Sequence, residues 1–369
     1  MRAALLEAPR KPLAIVDDLE IDAPGPGQVR VDVSHCSLCH SDLGFVDAEH
    51  DGGNFPIVLG HEAAGVVESV GVGVDPSELQ PGDKVVLTPC PPCGTCYWCV
   101  RNEQALCRNS DNILTSTFSD GSTGLRRGDT VVYRGLGVAG LGSQVLTQST
   151  GAVKIPADVP TEVACVIGCA VQTGVGAVLN TAQVEPGATV LVMGGGGIGL
   201  SILQGARIAG ASRIIVSDPV AERREFAQRL GATHTLDPSE VDVITECHKL
   251  TNGIGVDYAF DAAGAAALVT TGMWASRKGG TIVLVGAVPP DQPVQVSPAA
   301  LFAVQEKKLV GCLLGSCNSQ RDVPRFLELW RAGKLDLPGM ISSCRPIDAV
   351  NEAFDDLRHS RGVRHVLAF

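Results

Sequence analysis

Four cysteines in this 369-residue sequence are spaced Cys93-x2-Cys96-x2-Cys99-x7-Cys107. They lie among Pro, Gly and polar residues that could not build much of an apolar core. Four soft thiolates at this spacing suit a closed tetrahedral zinc site, with sulfur at about 2.3 Å from the metal. Cys90, three residues ahead, also permits a 90/93/96/99 register that leaves Cys107 unused. The run Gly194-Gly195-Gly196-Gly197-Ile198-Gly199 fits G-x-G-x-x-G, in which glycines let the backbone approach a pyrophosphate at the start of a helix. Asp218 follows at the end of the next apolar run, where a carboxylate accepts hydrogen bonds from an adenosine ribose. That carboxylate repels a 2′-phosphate and Pro219 and Val220 bring no positive charge, so NAD is expected rather than NADP.

A dispersed set, Cys39, His61 and Cys169, offers three more ligands. With 13 cysteines and 8 histidines many such combinations can be drawn, and a buried Cys169 would ordinarily be a small hydrophobe. The residues alone leave this set open.

The elements that must position these groups fall into two rhythms. Residues 22–33 place a Pro/Gly turn before alternating valines, and 63–70 and 83–87 are similar short apolar runs between turns. This pattern predicts a small antiparallel barrel or sandwich. After about Cys169 the pattern becomes strand-helix alternation: strands at 189–193, 213–217, 256–261 and 280–288, and helices at 199–209, 221–230 and 266–276. That alternation builds a doubly wound parallel sheet. Helical patterns at 323–330 and 347–357 precede a last strand at 363–367.

Composition narrows the function classes. A chain of this length holds about two domains. With 45% hydrophobic residues, 19% charged residues and a formal net charge of −11, it is a folded protein whose general field disfavours nucleic acid and anionic lipid. No apolar run approaches the roughly 18 residues of a membrane span, and the start lacks the pattern of a secretory signal. A cytoplasmic enzyme acting on small molecules is expected. Cys36, Cys165, Cys247, Cys312, Cys317 and Cys344 are expected as reduced core residues.

Taken together, Cys39-His40-Ser41-Asp42, Gly60-His61-Glu62, the cysteine lobe, Gly168-Cys169, the glycine run, Asp218 and the closing residues 363–369 resemble the zinc-dependent alcohol dehydrogenases of the medium-chain dehydrogenase/reductase superfamily. The resemblance covers essentially the whole chain and is nearest the class III-like bacterial branch, which includes formaldehyde dehydrogenases acting on thiol adducts. It implies an α/β plus β fold, with a GroES-like catalytic domain (1–170 and 313–369) interrupted by a Rossmann domain (171–312). It also implies NAD and two zinc ions per subunit, the catalytic one held by Cys39, His61 and Cys169 and the structural one by Cys93, Cys96, Cys99 and Cys107. Asp42 and Glu62 match positions that orient the imidazole or modulate the metal. Ser41 matches the hydroxyl that takes the alcohol proton. His40, Thr173, Arg223 and Arg364 match cofactor-facing positions, beside Gly194, Gly196, Gly197, Ile198, Gly199 and Asp218.

The sequence departs from the family at Gly44, where a relay-ending histidine often stands, leaving His50 or water to finish the relay. The 109–141 segment carries Arg126, Arg127 and Arg134, which either border the substrate entrance or are merely solvated. The implied assembly is a homodimer, with a tetramer as the alternative. The implied reaction is hydride transfer between a primary alcohol, or a hydroxymethyl-thiol adduct, and NAD, in either direction. Two other functions compete with it: NAD(P)H-dependent reduction of activated carbonyl or iminium groups, and a non-catalytic zinc- and nucleotide-binding role.

Overall fold

The computed structural model of the chain describes residues 1–48, 54–287, 292–296 and 299–369. His50 and the end of the expected 280–288 strand lie outside them. Contacts divide the chain into two units, one made of Met1–Cys169, Asn318–Gly333 and Leu337–Phe369, the other of Ala170–Cys317 and Lys334–Asp336. Residues 313–317 therefore stay with the second unit, past the expected boundary at 312. The cause is close packing, because a Cβ added at Gly315 would sit 2.1 Å from the Gln172 carbonyl oxygen, to which the Cys317 thiol also donates at 3.4 Å.

In the first unit the largest sheet runs Ala152–Lys154, Lys84–Leu87, Glu62–Val70, Gln28–Ser37, Arg364–Ala368, Ile341–Pro346, and Gln144–Gln148 also pairs with Gln28–Ser37. The valines expected to alternate do so: Val29, Val31 and Val33 are buried while Asp32 between them is exposed. At the far end of that strand the alternation stops, and Cys36 and Ser37 are both buried as the chain enters the site. Pairings along the sheet are antiparallel except Ile341–Pro346 on Arg364–Ala368, which run parallel.

The second unit is built on a parallel sheet ordered His234–Leu236, Arg213–Ser217, Thr189–Met193, Val256–Asp261, Ser276–Leu284, Lys308–Gly311. Its order reverses between Thr189–Met193 and Val256–Asp261, as in the Rossmann arrangement, where ligands bind at the strand ends beside the reversal. Thr189–Met193 is buried at every position, as a central strand covered on both faces must be. The helix after it runs Gly197–Ile208, two residues earlier than the periodicity indicated, because Gly196 already caps it. His234–Leu236, Val243–Leu250 and Lys308–Gly311 carried no readable signal. Among the described residues no single helix is long and apolar enough to cross a membrane.

Two glycines of the run are required by geometry. Gly194 holds φ +102, and a Cβ on Gly199 would lie 1.8 Å from the Gly194 carbonyl oxygen. Gly199→Ala should therefore force loop and helix apart and lower stability by about 1–3 kcal/mol or more. A denaturation midpoint equal to wild type would contradict this.

Candidate active site

The strand Gln28–Ser37 delivers Cys39 to the start of the helix His40–Val46, and Cys39 itself is extended (φ −124, ψ 155). The next turn supplies Asp42, wholly buried, and its carboxylate does three things. It accepts the Cys39 backbone N–H at 3.2 Å, the Gly60 N–H at 2.8 Å, and it faces His61 Nδ1 at 3.1–3.2 Å. With a carboxylate at Nδ1, the ring proton sits there and the Nε2 lone pair is left for a cation. One side chain thus sets the position of two candidate ligands.

Around them, ligand atoms of Cys39, His61, Glu62 and Cys169 all lie within 4.8 Å of one another. The groups perturb each other strongly. The Cys169 thiol donates toward Cys39, which holds Cys39 well below the ordinary thiol range against the cost of burial, while Cys169 is raised by the same bond. Burial opposes protonation of His61, yet the Asp42 carboxylate raises it above its usual value. Burial pushes Glu62 up to about 8 against the pull of Arg364. Neither Glu62 oxygen has a hydrogen-bond partner, although Arg364 Nη2 stands 3.2 Å from Oε1 as an ion pair. Two thiols, an imidazole and a carboxylate without a hydrogen bond form a donor set that fits a borderline divalent cation such as zinc.

The other expected residues are placed as follows. Ser41 Oγ is 3.9 Å from Cys39 Sγ and half-buried. His40 is exposed at the start of the helix. Arg364 is buried, donates to the Leu38 carbonyl at 3.2 Å and leaves its Nε without a hydrogen bond. At Gly44 an added Cβ would meet nothing within 4 Å. In the cysteine lobe, Cys93, Cys96, Cys99 and Cys107 converge within 4.8 Å, with Cys90 outside that group and pushed up to about 12 by burial. Backbone N–H groups of Cys93, Cys96 and Asn109 point at sulfur at 3.2–3.4 Å, and N–H groups of Arg108 and Cys99 bring Cys96 down to about 5.

In the second unit, Asp218 accepts the Gly195 N–H at 2.6 Å and the Val220 N–H at 2.8 Å. Arg223 Nη1 lies 3.9 Å from it and Arg223 Nε is buried without a partner, so positive charge reaches Asp218 from a residue beyond 219–220. A Cβ on Gly196 would meet nothing within 4 Å, which leaves open space over the first helical N–H groups, Gly197 and Ile198 among them. Thr173 is buried in the helix Ala170–Gly176.

Residues 25–157 match the family described as "Alcohol dehydrogenase GroES-like domain" and residues 197–331 that described as "Zinc-binding dehydrogenase". The NDMA-dependent alcohol dehydrogenase of Amycolatopsis methanolica is 37% identical over 99% of this chain and 98% of its own. The class-3 alcohol dehydrogenase of Myxine glutinosa is 32% identical over 99% and 97%. The crystal structure of benzyl alcohol dehydrogenase from Acinetobacter calcoaceticus superposes with a TM-score of 0.93 at 29% identity, covering 100% of this chain and 99% of that one.

The chain belongs to the zinc-dependent alcohol dehydrogenases. Zinc and a nicotinamide cofactor come with that membership. In this dehydrogenase the loop arginines serve structure. Arg126 pairs with Glu20 and Asp22, Arg127 with Glu7 and Asp18, and Arg134 is buried over the Phe118 ring at 3.6 Å while donating to the Leu146 carbonyl. Sequence reasoning missed the direct Arg364 to Glu62 pair, because only sheet pairing of Arg364–Ala368 with Gln28–Ser37 brings the C-terminal strand beside the site.

Two substitutions separate the cysteine registers. Cys107→Ser should lose one metal ion per subunit by elemental analysis, and Cys90→Ser should lose none. The reverse pattern would reinstate the 90/93/96/99 set. Asp42→Asn should weaken metal retention against a chelator by roughly 10–100-fold, the usual effect of disturbing a ligand's hydrogen-bond partner.

Proposed function

We propose that this dehydrogenase oxidises a primary alcohol, or a hydroxymethyl-thiol adduct, with NAD as acceptor. The observation that carries the reading is the convergence of Cys39, His61 and Cys169 with Glu62 in one ligand sphere. In this reading Cys39, His61 and Cys169 hold one zinc and Cys93, Cys96, Cys99 and Cys107 a second, the catalytic portion being 1–169 with 318–333 and 337–369 and the nucleotide-binding portion 170–317 with 334–336. When bound, zinc supplies Lewis acidity that lowers the pKa of a hydroxyl, and the nicotinamide supplies a hydride acceptor.

The chain's residues supply the rest. Two thiolates offset the charge of a divalent ion, and Asp42 keeps the His61 lone pair pointed away from itself. Ser41, able both to accept and to donate, takes the hydroxyl proton and hands it on. Gly44 offers no titratable group for the last transfer, and water completes it. Arg364, 3.2 Å from Glu62, offsets part of the cost of burying a charge there. Gly194, Gly196, Gly197, Ile198 and Gly199 receive the pyrophosphate, with Thr173 and Arg223 as further contacts, and the resemblance assigns His40 and Arg364 to the cofactor as well. Asp218 keeps acceptor capacity on both oxygens for a ribose. The enzyme works as a homodimer in the cytoplasm, a reducing setting in which cysteines stay available as metal ligands.

A panel of aliphatic and aromatic alcohols, and formaldehyde with and without low-molecular-weight thiols, tests the reading by NADH formation. Turnover with at least one primary alcohol or adduct is expected. Inertness on the whole panel together with NAD(P)H-driven reduction of activated carbonyls would replace it. Ser41→Ala should slow oxidation by about 100-fold or more with NADH affinity unchanged, and unaltered turnover would remove Ser41 from the relay. NADH should bind at least about tenfold more tightly than NADPH, and Asp218→Ser should narrow that ratio. Equal affinities in wild type would refute the NAD assignment.

A further inference from the structure

A third group of metal-ligating side chains lies away from both sites described above. Ligand atoms of His35, Glu162 and Cys344 are all within 4.8 Å of one another. They come from the strand Gln28–Ser37, the short helix Thr161–Ala164 and the strand Ile341–Pro346. Cys344 was expected in the core, but it is exposed, while His35 and Glu162 are half-buried.

Sheet register explains how His35 and Cys344 meet. Cys344 pairs with Val366, Val366 with Ser37, and Ala368 with His35, so His35 and Cys344 share one face of the sheet, one row apart across the strand Arg364–Ala368. Both depend on a break in register, one between Val33 and His35 and one between Ile341 and Ser343. Without its extra residue each strand would turn that side chain to the opposite face. The helix Thr161–Ala164 then brings Glu162 over the same face. The Thr161 hydroxyl lies 2.8 Å from His35 Nδ1, and the Cys165 thiol donates to the Glu162 carbonyl at 3.1 Å.

We propose that His35, Glu162 and Cys344 form a peripheral site for a borderline divalent cation, zinc being the natural occupant. One thiolate, one imidazole and one carboxylate are the donor types zinc takes, and three protein ligands leave a fourth position for water. Ligands at about 2.0–2.3 Å from a tetrahedral zinc are about 3.3–3.8 Å apart, so closing the observed cluster around an ion needs shifts of about 1 Å or less. Two of the contributing segments lead toward the active site: His35 precedes Cys39 by one strand end, and the Thr161–Ala164 helix continues to Cys169. An ion here cross-links those segments from behind, without touching the reacting groups.

The test is equilibrium dialysis of the purified zinc-loaded enzyme against buffered free zinc, with metal counted per subunit in wild type, Cys344→Ser and Glu162→Gln. Wild type should take up one more ion than Cys344→Ser, and Glu162→Gln should bind that ion at least about tenfold more weakly. The difference between wild type and variant is what counts, so the resident zinc cancels and the outcome is independent of how the other two sites are filled. Cd2+ added to the zinc-loaded enzyme should give a sulfur-to-metal charge-transfer band that Cys344→Ser lacks. Equal zinc content in wild type and Cys344→Ser, or a Cd2+ difference spectrum indifferent to position 344, overturns the proposal. Cys344→Ser lies on the surface and should retain the wild-type circular dichroism and basal turnover.

Discussion

A buried carboxylate away from water has to fill its lone pairs from the protein, and Asp42 fills them with the Cys39 N–H, the Gly60 N–H and the His61 ring. These three partners come from a helix start and from the turn into the strand Glu62–Val70. Satisfying one acid therefore fixes the distance between a thiol and an imidazole before any ion arrives. Each such bond to a charged acceptor is worth about 1.5–3 kcal/mol, and leaving a donor without it costs a similar amount. Cys39 and His61 are held by these bonds, so an ion bound between them would meet ligands already placed.

The two larger thiol clusters use opposite electrostatics. In the 93–107 lobe, backbone N–H groups aim at sulfur; they bring Cys96 down to about 5, while at Cys107 burial outweighs them and pushes the thiol up to about 12. Such a site is closed by its four sulfurs. Around Cys39 the balance is kept by side-chain charges: Asp42 against His61, Arg364 against Glu62, and one thiol against another. That set keeps an opposing charge on each side, so a change in one member is felt by all the others.

How much of this was legible in the sequence depended on the range of each interaction. The glycine run and the strands Thr189–Met193, Arg213–Ser217 and Val256–Asp261 are local, and their signals fell within a residue or two of the observed elements, whereas the strand expected at 280–288 is found four residues earlier, at Ser276–Leu284. The short strands His234–Leu236 and Lys308–Gly311 span too few residues for a period to show. Asp42 was readable as a modulator of the imidazole, yet its grip on the Cys39 and Gly60 backbones needed coordinates. The exposure of Cys344 and the pairing of Arg364 with Glu62 were hidden for the same reason. The Arg364–Glu62 pair arises from pairing of Arg364–Ala368 with Gln28–Ser37 across most of the chain, and the exposure of Cys344 from its place on the edge strand Ile341–Pro346, past a register break that no composition reveals.

The strand Arg364–Ala368 lies inside the largest sheet, between Gln28–Ser37 and Ile341–Pro346. A ribosome makes it hundreds of residues after its neighbour Gln28–Ser37. Until it arrives, Gln28–Ser37 presents an open hydrogen-bonding edge over that stretch and Glu62 lacks its arginine. The parallel sheet in the middle of the chain has all of its strands earlier and can be complete while the outer sheet waits. The nascent enzyme thus passes through an interval with an unclosed β-edge, during which strand pairing between chains competes with closure within one.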